Sequence, residues 1–296
     1  MLMSLTLSLH MSDLNKTALT TMPSSNTISS KQIYDARSSK YNESWHPEHA
    51  ANYIRWAQPD AGKHVLDLAC GTGLVSIAAK HAIGPTGTVT AVDISTGMMA
   101  VGKESAKKEG LDIQWLEWDI TNLLSAKDEG KIRDDYDWIT CATALVLLED
   151  PLSAIKQWKE LLKSGGRIIT DVPTEKAMPQ GMVFEEVGKE MGIEQPSRRL
   201  WVKDEKSLER LFLDAGFEIA KSWKAPGYLP RKDHGADEAG ELFDRWTGTD
   251  FCRVFGEENV RDEARTMFIE RFEKMKGKGG MVNEEDAFYM VIGRKV

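Results

Sequence analysis

The sequence predicts an α/β fold in which seven mostly parallel strands form one sheet, with helices on both of its faces. Short apolar segments alternate with longer amphipathic ones from residue 46 to residue 173, which is typical of parallel strands joined by helices. Glycine or proline stands at the junctions, as at Gly110 after a helical pattern and at Pro151 before one.

The periodicity places each element along the chain. Short apolar runs predict strands, and apolar positions that recur at helical spacing predict helices. The predicted strands cover residues 65–69, 87–92, 112–117, 136–141, 166–172, 217–223 and 287–293. The predicted helices cover residues 47–57, 73–82, 96–109, 151–163, 182–191 and 207–215.

We expect one domain over residues 31–296, preceded by a flexible leader over residues 1–30. The leader shows neither the continuous apolar run of a signal peptide nor the arginines of a mitochondrial presequence. The domain divides into a core and a cap that covers it, with a helical insertion between strands six and seven. The expected core is residues 58–173, 204–225 and 286–296, and the expected cap is residues 31–57, 174–203 and 226–285.

Composition and charge exclude several classes of function. No apolar run approaches the roughly 20 residues that a bilayer span requires, so we expect a soluble protein without membrane contact. A net charge of -8 without a dense Lys/Arg cluster argues against a nucleic-acid partner. The cysteines Cys70, Cys141 and Cys252 are far apart, which argues against disulfides and zinc and favours a reducing cytoplasm.

The loop after the first predicted strand, DLACGTG at residues 67–73, is the most informative segment. Ligands of open α/β sheets bind at the carboxyl ends of the strands. Gly71 and Gly73 let the backbone approach such a ligand with no Cβ in the way. Asp93 ends the second strand, where a carboxylate can accept hydrogen bonds from both hydroxyls of a ribose. The pattern indicates an adenosine-containing ligand.

Two residues disfavour a nicotinamide dinucleotide as that ligand. Dinucleotide sites usually have a third glycine beside the pyrophosphate, but position 76 is a serine. Asp67 would suit a ligand with an ammonium group better than one with phosphates. A methionine-derived cofactor carries such an ammonium.

Four motifs, VLDLACGTG, AVDISTGMM, WDITNL and LLKSGGRIITD, resemble in this order those of class I S-adenosylmethionine-dependent methyltransferases. The chain is similar in particular to small-molecule enzymes of ubiquinone and menaquinone biosynthesis and of secondary metabolism, over residues 65 to about 173. The resemblance implies a Rossmann-like fold with an antiparallel last strand and S-adenosyl-L-methionine as cofactor. It also implies methyl transfer to an O, N, S or C atom of a small organic molecule.

The resemblance assigns cofactor contacts along the carboxyl edge of the sheet. They are Asp67, Ala69, Cys70, Gly71, Thr72 and Gly73 at the methionyl end, Asp93 at the ribose, Ile94, Met98, Asp119 and Ile120 at the adenine, and Ala142 and Thr143 beneath the sulfonium. Two side chains have a simpler alternative, because Asp119 could only cap the following helix and Met98 could only pack in the core. The Cys70 side chain is interpreted as a packing residue, since no histidine nearby in sequence activates it.

The segment after the fourth strand narrows the substrate class. Enzymes that methylate amino groups of DNA usually carry an Asn/Asp-Pro-Pro-aromatic element there, whereas this chain has TCAT at residues 140–143. The chain also lacks the separated acidic pair plus asparagine with which catechol-type relatives hold magnesium, so we predict no metal. The expected partner is a small-molecule substrate, and a homodimer is left open.

Aromatic residues before and after the core are candidate substrate contacts. Tyr41, Trp45 and His46 precede the core, and Phe243 and Trp246 lie in the insertion. Together they could enclose an apolar or aromatic substrate above the cofactor's methyl group. The same residues could instead pack the cap or form a dimer interface.

The chemistry makes a catalytic base optional. Methyl transfer from a sulfonium is an in-line displacement, in which alignment of donor and acceptor is worth up to ~7–11 kcal/mol. For an acceptor that must lose a proton, His46 is the candidate base, ahead of His234. Two other functions stay open, an enzyme whose bound cofactor assists a rearrangement without methyl transfer and a non-catalytic binding protein.

Overall fold

The computed structural model describes residues 25–277 and 279–296. It begins with helix α1 (Ser25–Arg37), which is followed by a 3-10 helix (Ser38–Glu43). Helix α1 therefore starts inside the segment predicted to be a flexible leader, whose residues 1–24 lie outside the described residues. No helix within the two described ranges is both long and apolar enough to cross a membrane.

Nine strands lie within the described residues, seven in a central sheet and two in a separate two-stranded sheet. They are β1 (His64–Leu68), β2 (Thr88–Asp93), β3 (Gln114–Glu117), β4 (Tyr136–Cys141), β5 (Leu162–Pro173), β6 (Glu218–Pro226), β7 (Lys232–Gly235), β8 (Met281–Glu284) and β9 (Ala287–Arg294). The order of the large sheet is β3-β2-β1-β4-β5-β9-β6. Only β9 runs antiparallel to its neighbours in this sheet, β5 and β6. The predicted seven-stranded α/β fold is confirmed.

Helices cover the sheet and build the cap. They are α2 (His46–Ala57), α3 (Leu74–Ile83), α4 (Thr96–Lys108), α5 (Leu123–Asp128), α6 (Pro151–Glu160), α7 (Pro179–Met191), α8 (Lys206–Asp214), α9 (Ala239–Trp246) and α10 (Arg261–Lys274). Side chains fix two of the helix starts. Ser95 accepts a hydrogen bond from the Met98 amide at 3.1 Å before α4, and Asp150 accepts one from the Ser153 amide at 2.9 Å before α6.

Two apolar clusters join the central sheet to its covering helices, and a third is formed by α7, α9, α10 and the segments beside them. Strand β4 is buried at every position because both faces of the sheet are covered. The third cluster centres on Phe184 of α7, Phe243 of α9 and Phe268 of α10, whose ring centroids lie 4.6–5.6 Å apart. The cap is thus stabilised by an aromatic core of its own.

The insertion between β6 and β9 is helical as predicted, but it also contains the antiparallel pair of strands β7 and β8, which the sequence did not predict. The two strands read KDHG and MVNE, and neither shows the alternation of apolar and polar residues that indicates a strand. A side-chain contact stabilises the pair, since Nε2 of His234 lies 2.6 Å from Oε2 of Glu284.

Candidate active site

A cavity of about 450 Å³ lies at the carboxyl edge of the sheet. The strand order reverses at β1 and β4, and such a reversal is where open α/β sheets bind ligands. Nine predicted cofactor contacts line the cavity, namely Ala69, Gly71, Asp93, Ile94, Met98, Asp119, Ile120, Ala142 and Thr143. Four others do not line it, namely Asp67, Cys70, Thr72 and Gly73.

The loop after β1 turns through positive φ angles at Ala69 (51°), Gly71 (54°) and Gly73 (72°). At Gly73 a Cβ atom would lie 2.4 Å from the Trp115 ring, so the third of these positions requires glycine for packing. At Gly71 a Cβ atom would lie 3.2 Å from Cε of Met98. Both Gly71 and Met98 line the cavity, so the loop presents backbone to it at this point.

The side chains of Cys70 and Thr72 are directed into the protein instead. Burial raises the pKa of the Cys70 thiol, which agrees with its interpretation as a packing residue. The Thr72 hydroxyl donates to Oδ1 of Asn42 at 2.6 Å. This bond ties the glycine loop to the 3-10 helix that follows α1.

Asp67 is buried within the sheet, which corrects the expectation that its carboxylate contacts the cofactor. Its two oxygens accept hydrogen bonds from the hydroxyls of Ser76 at 2.5 Å and Thr140 at 2.6 Å. Burial raises its pKa to about 6, and these two hydroxyls oppose the shift. Ser76 therefore has a function that the sequence did not reveal, since it satisfies the buried acid at the base of the loop.

Asp93 ends β2 with its carboxylate fixed on the cavity wall. Oδ2 accepts the Gly71 amide and Oδ1 accepts the Ser95 amide, both at 2.7 Å. Burial raises the pKa of Asp93, whereas these backbone bonds lower it. The two amides join the loops after β1 and β2 through one carboxylate, so its orientation is set before any ligand binds.

Asp119 follows β3 and lies on the same wall. Its Oδ1 accepts hydrogen bonds from the Thr121 amide at 2.9 Å and from the Thr121 hydroxyl at 2.8 Å, so it caps the 3-10 helix Ile120–Asn122. Asp119 therefore both caps this 3-10 helix and lines the cavity. Met98 is likewise both buried and part of the cavity wall. Core packing and a place beside the cofactor, the two alternatives considered for Met98, are therefore compatible.

Thr143 follows β4 in a left-handed conformation, with φ of 54°. A residue other than glycine held in this region costs about 1–3 kcal/mol, so neighbouring groups must stabilise it. Its backbone amide donates to Oδ1 of Asp171 at 2.9 Å, and Thr143 and Tyr41 both line the cavity. Asp171 lies on β5 and is the last residue of the fourth sequence motif, but the motif by itself does not indicate a contact with Thr143.

Helix α1 forms the outer wall of the cavity, through Ser30 and Tyr34. The Lys31 ammonium donates to the Ile94 carbonyl, and the Asp35 carboxylate accepts the Gly97 amide at 2.9 Å. These contacts fasten α1 to the start of α4. The signal that could have indicated them is the spacing of Lys31 and Asp35, which places two opposite charges on one helical face.

Of the predicted substrate contacts, only Tyr41 lines the cavity. His46 lies behind it, with ring centroids 3.9 Å from Tyr41 and 4.0 Å from Trp45. Burial, and to a lesser extent the nearby Arg37 charge, lowers the pKa of His46 to about 4. The geometry does not support His46 as a base, because a stacked ring behind the wall with this pKa is a weak proton acceptor at neutral pH.

The remaining predicted contacts pack the cap. Phe243 is fully buried in the aromatic cluster, and Trp246 is partly buried against the same cluster. His234, the second candidate base, is buried in the two-stranded sheet of β7 and β8 beside Glu284. None of these three lines the cavity, so the apolar pattern of the insertion reflects its own core.

Comparison with known proteins identifies the family. A family model described as a methyltransferase domain matches residues 65–166. The chain is 29% identical over 201 residues to a demethylmenaquinone methyltransferase of Bacillus cytotoxicus, covering 62% of this chain and 82% of the relative. It is 31% identical over 177 residues to the enzyme of the same name from Staphylococcus saprophyticus, covering 54% and 72%. The chain belongs to the class I S-adenosylmethionine-dependent methyltransferases.

The fold of this methyltransferase agrees with a solved structure. Magnesium protoporphyrin IX methyltransferase from Synechocystis PCC 6803, solved with bound SAH, superposes with a TM-score of 0.56 at 13% identity, over 92% of this chain and 100% of that one. At this identity the likeness concerns the fold alone. The family resemblance drawn from the four sequence motifs is confirmed.

Proposed function

We propose that this methyltransferase binds S-adenosylmethionine in the cavity and transfers its methyl group to an O, N, S or C atom of a small organic molecule. One observation carries the proposal. Asp93, Asp119 and Thr143 follow three different strands and line a single cavity. Two carboxylates on one wall offer acceptors to the hydroxyl and amine donors of a nucleoside.

The cavity fits this cofactor in size and in chemistry. Its volume of about 450 Å³ lies within the range of small-molecule sites. The preoriented Asp93 carboxylate would accept the ribose hydroxyls, and Asp119 would accept the exocyclic amine of adenine. Ile94 and Met98 would flank the adenine ring, and the backbone at Gly71 would lie along the methionyl chain. When bound, the cofactor supplies an electrophilic methyl group on a positively charged sulfur.

Ala142, Thr143 and Tyr41 would form the transfer end of the cavity. Burial raises the pKa of Tyr41 above its ordinary value, so its hydroxyl stays protonated and orients neighbours instead of accepting a proton. With His46 behind the wall, the described residues that line the cavity include no histidine or lysine. Rate acceleration would then come mainly from alignment, worth up to ~7–11 kcal/mol.

This arrangement favours an acceptor that can reach its anion near neutral pH with modest help, such as a phenol, a thiol or a carboxylate. The test is incubation with isotope-labelled cofactor and a panel of phenols, acids, amines and thiols, read by mass. Demethylmenaquinone belongs in the panel because relatives are named for it. A methylated phenol, thiol or acid supports the proposal. An isomerised substrate indicates rearrangement, and uptake of cofactor without any product indicates a binding protein.

A further inference from the structure

We propose that Asp171 is a positioning residue for the cofactor cavity. Its buried carboxylate lies outside the cavity wall and holds Thr143, which lines the cavity, in the left-handed conformation. The inference rests on the proposed function and deepens it, since it assigns to the cofactor site a residue outside the cavity wall. Asp171 is fully buried on β5, next to the end of β4.

Three groups meet at the Asp171 carboxylate. Oδ1 accepts the Thr143 amide at 2.9 Å and also accepts the Tyr53 hydroxyl, which in turn lies 3.1 Å from the Cys141 carbonyl oxygen. Nε2 of His49 lies 3.6 Å from the same Oδ1. Through this one oxygen the carboxylate connects the segment after β4 to helix α2.

A second chain of contacts reaches the cavity from the same helix. Nδ1 of His49 lies 2.9 Å from the Tyr228 hydroxyl, and the Tyr228 ring is stacked on Trp45 with centroids 5.3 Å apart. Trp45 is stacked on His46, and the His46 ring is tilted against the ring of Tyr41, which lines the cavity. Helix α2 thus contacts Tyr41 through His46, and through His49 and Tyr53 it also contacts Asp171, whose carboxylate accepts the Thr143 amide.

The polar cluster around Asp171 reduces the stability of the fold. This cost argues that the cluster is present for its effect on the cavity. Neither Oδ2 of Asp171 nor Nε2 of His49 has a hydrogen-bond partner among the described residues. Buried polar groups without a partner destabilise a fold. An apolar residue at position 171 would avoid this cost, but it would leave the strained Thr143 amide without an acceptor.

The experiment compares Asp171→Ala and Asp171→Asn with Asp137→Ala as a matched control. Asp137 is also a buried acid that accepts a backbone amide, from His64 at 2.9 Å, but it lies at the opposite edge of the sheet. Two properties are measured on the full chain. Calorimetry gives the dissociation constant of S-adenosylhomocysteine, and NMR with labelled threonine gives the exchange rate of the Thr143 amide.

We expect Asp171→Ala to raise the dissociation constant and the Thr143 exchange rate by about tenfold each, as expected when one hydrogen bond to a charged group is lost. Asp171→Asn keeps an acceptor oxygen, so both values should stay within about threefold of the native ones. Asp137→Ala should leave both within about threefold, although it destabilises the fold. In a Thr143→Gly background Asp171→Ala should lose most of its effect, because glycine adopts positive φ without strain.

Should Asp171→Ala fail to fold, Tyr53→Phe removes only the hydroxyl that orients the carboxylate and should accelerate the Thr143 exchange. The inference is overturned if Asp171→Ala matches Asp137→Ala in both measurements, or if Thr143→Gly leaves the effect of Asp171→Ala unchanged. Absence of S-adenosylhomocysteine uptake by the native chain would instead overturn the proposed function. The exchange rate of Thr143 would then still test the role of Asp171.

Discussion

Replacing Asp93 by asparagine removes one hydrogen-bond acceptor from a carboxylate that needs two. Its Oδ1 accepts the Ser95 amide and its Oδ2 accepts the Gly71 amide, each at 2.7 Å. An asparagine side chain has a single oxygen, so its amino group must face one of these N–H donors whichever way it turns. Asp93→Asn therefore leaves a buried backbone donor unpaired and disturbs one of the two loops.

The magnitude follows from these two contacts. An unpaired buried donor costs about 1–3 kcal/mol, and the bond that survives loses about 1 kcal/mol because its acceptor is no longer charged. We expect the free energy of unfolding to fall by about 2–4 kcal/mol in total. The proposed ribose contact loses its charged acceptor as well, so the dissociation constant of S-adenosylhomocysteine should rise about 10- to 100-fold.

Asp67→Asn is the matched control, because it is another buried acid at the same edge of the sheet. Its partners are the hydroxyls of Ser76 and Thr140, which can accept a hydrogen bond as well as donate one. Calorimetry at neutral pH should therefore find S-adenosylhomocysteine affinity within about threefold of the native value for this variant. The reasoning is refuted if Asp93→Asn binds as tightly as the native chain, or if Asp67→Asn loses as much affinity.

Three further outcomes are expected. Burial raises the Asp67 pKa from 3.8 to about 6, so the folded state retains a proton that the unfolded chain releases. This contribution to the free energy of unfolding, about 3 kcal/mol, is present below pH of about 4 and lost as the pH rises through about 6. Urea unfolding across this range should show that loss in the native chain and not in Asp67→Asn, and equal slopes would contradict it. Asp35→Ala removes the acceptor of the Gly97 amide and so weakens the attachment of α1 to α4. Calorimetry should therefore show about 5- to 30-fold weaker binding of S-adenosylhomocysteine. Unchanged binding would exclude α1 as part of the site. Phe243→Ala should destabilise the fold by about 3–5 kcal/mol in thermal unfolding while leaving that affinity unchanged, and a loss of affinity would contradict the separation of the aromatic cluster from the cavity.

Much of the carboxyl edge was predictable because each contribution is local. A strand followed by a glycine loop, and an acid at the end of the next strand, specify backbone turns and hydrogen-bond acceptors within a few residues of each other. Asp93 and Gly71 were found in this way, and both line the cavity. The same logic failed for Asp67, since its place in the motif does not reveal that Ser76 and Thr140 already occupy its oxygens.

The cap could not be predicted to the same depth. Aromatic residues at helical spacing bury one face, but the pattern does not tell whether that face meets a ligand or another helix. Phe243 packs on Phe184 and Phe268, whereas Tyr41 reaches the cavity, and nothing in their spacing distinguishes the two outcomes.

The sequence by itself determined the alternation of strands and helices, the glycine turn and the acid at the end of β2, because periodicity and short-range turns are encoded by neighbouring residues. Only the tertiary structure decided that Asp171 on β5 supports Thr143 after β4, and that α1 closes the cavity from outside. Those contacts join residues far apart in the chain, and their energies depend on burial and distance, which arise only when the sheet and its covering helices assemble.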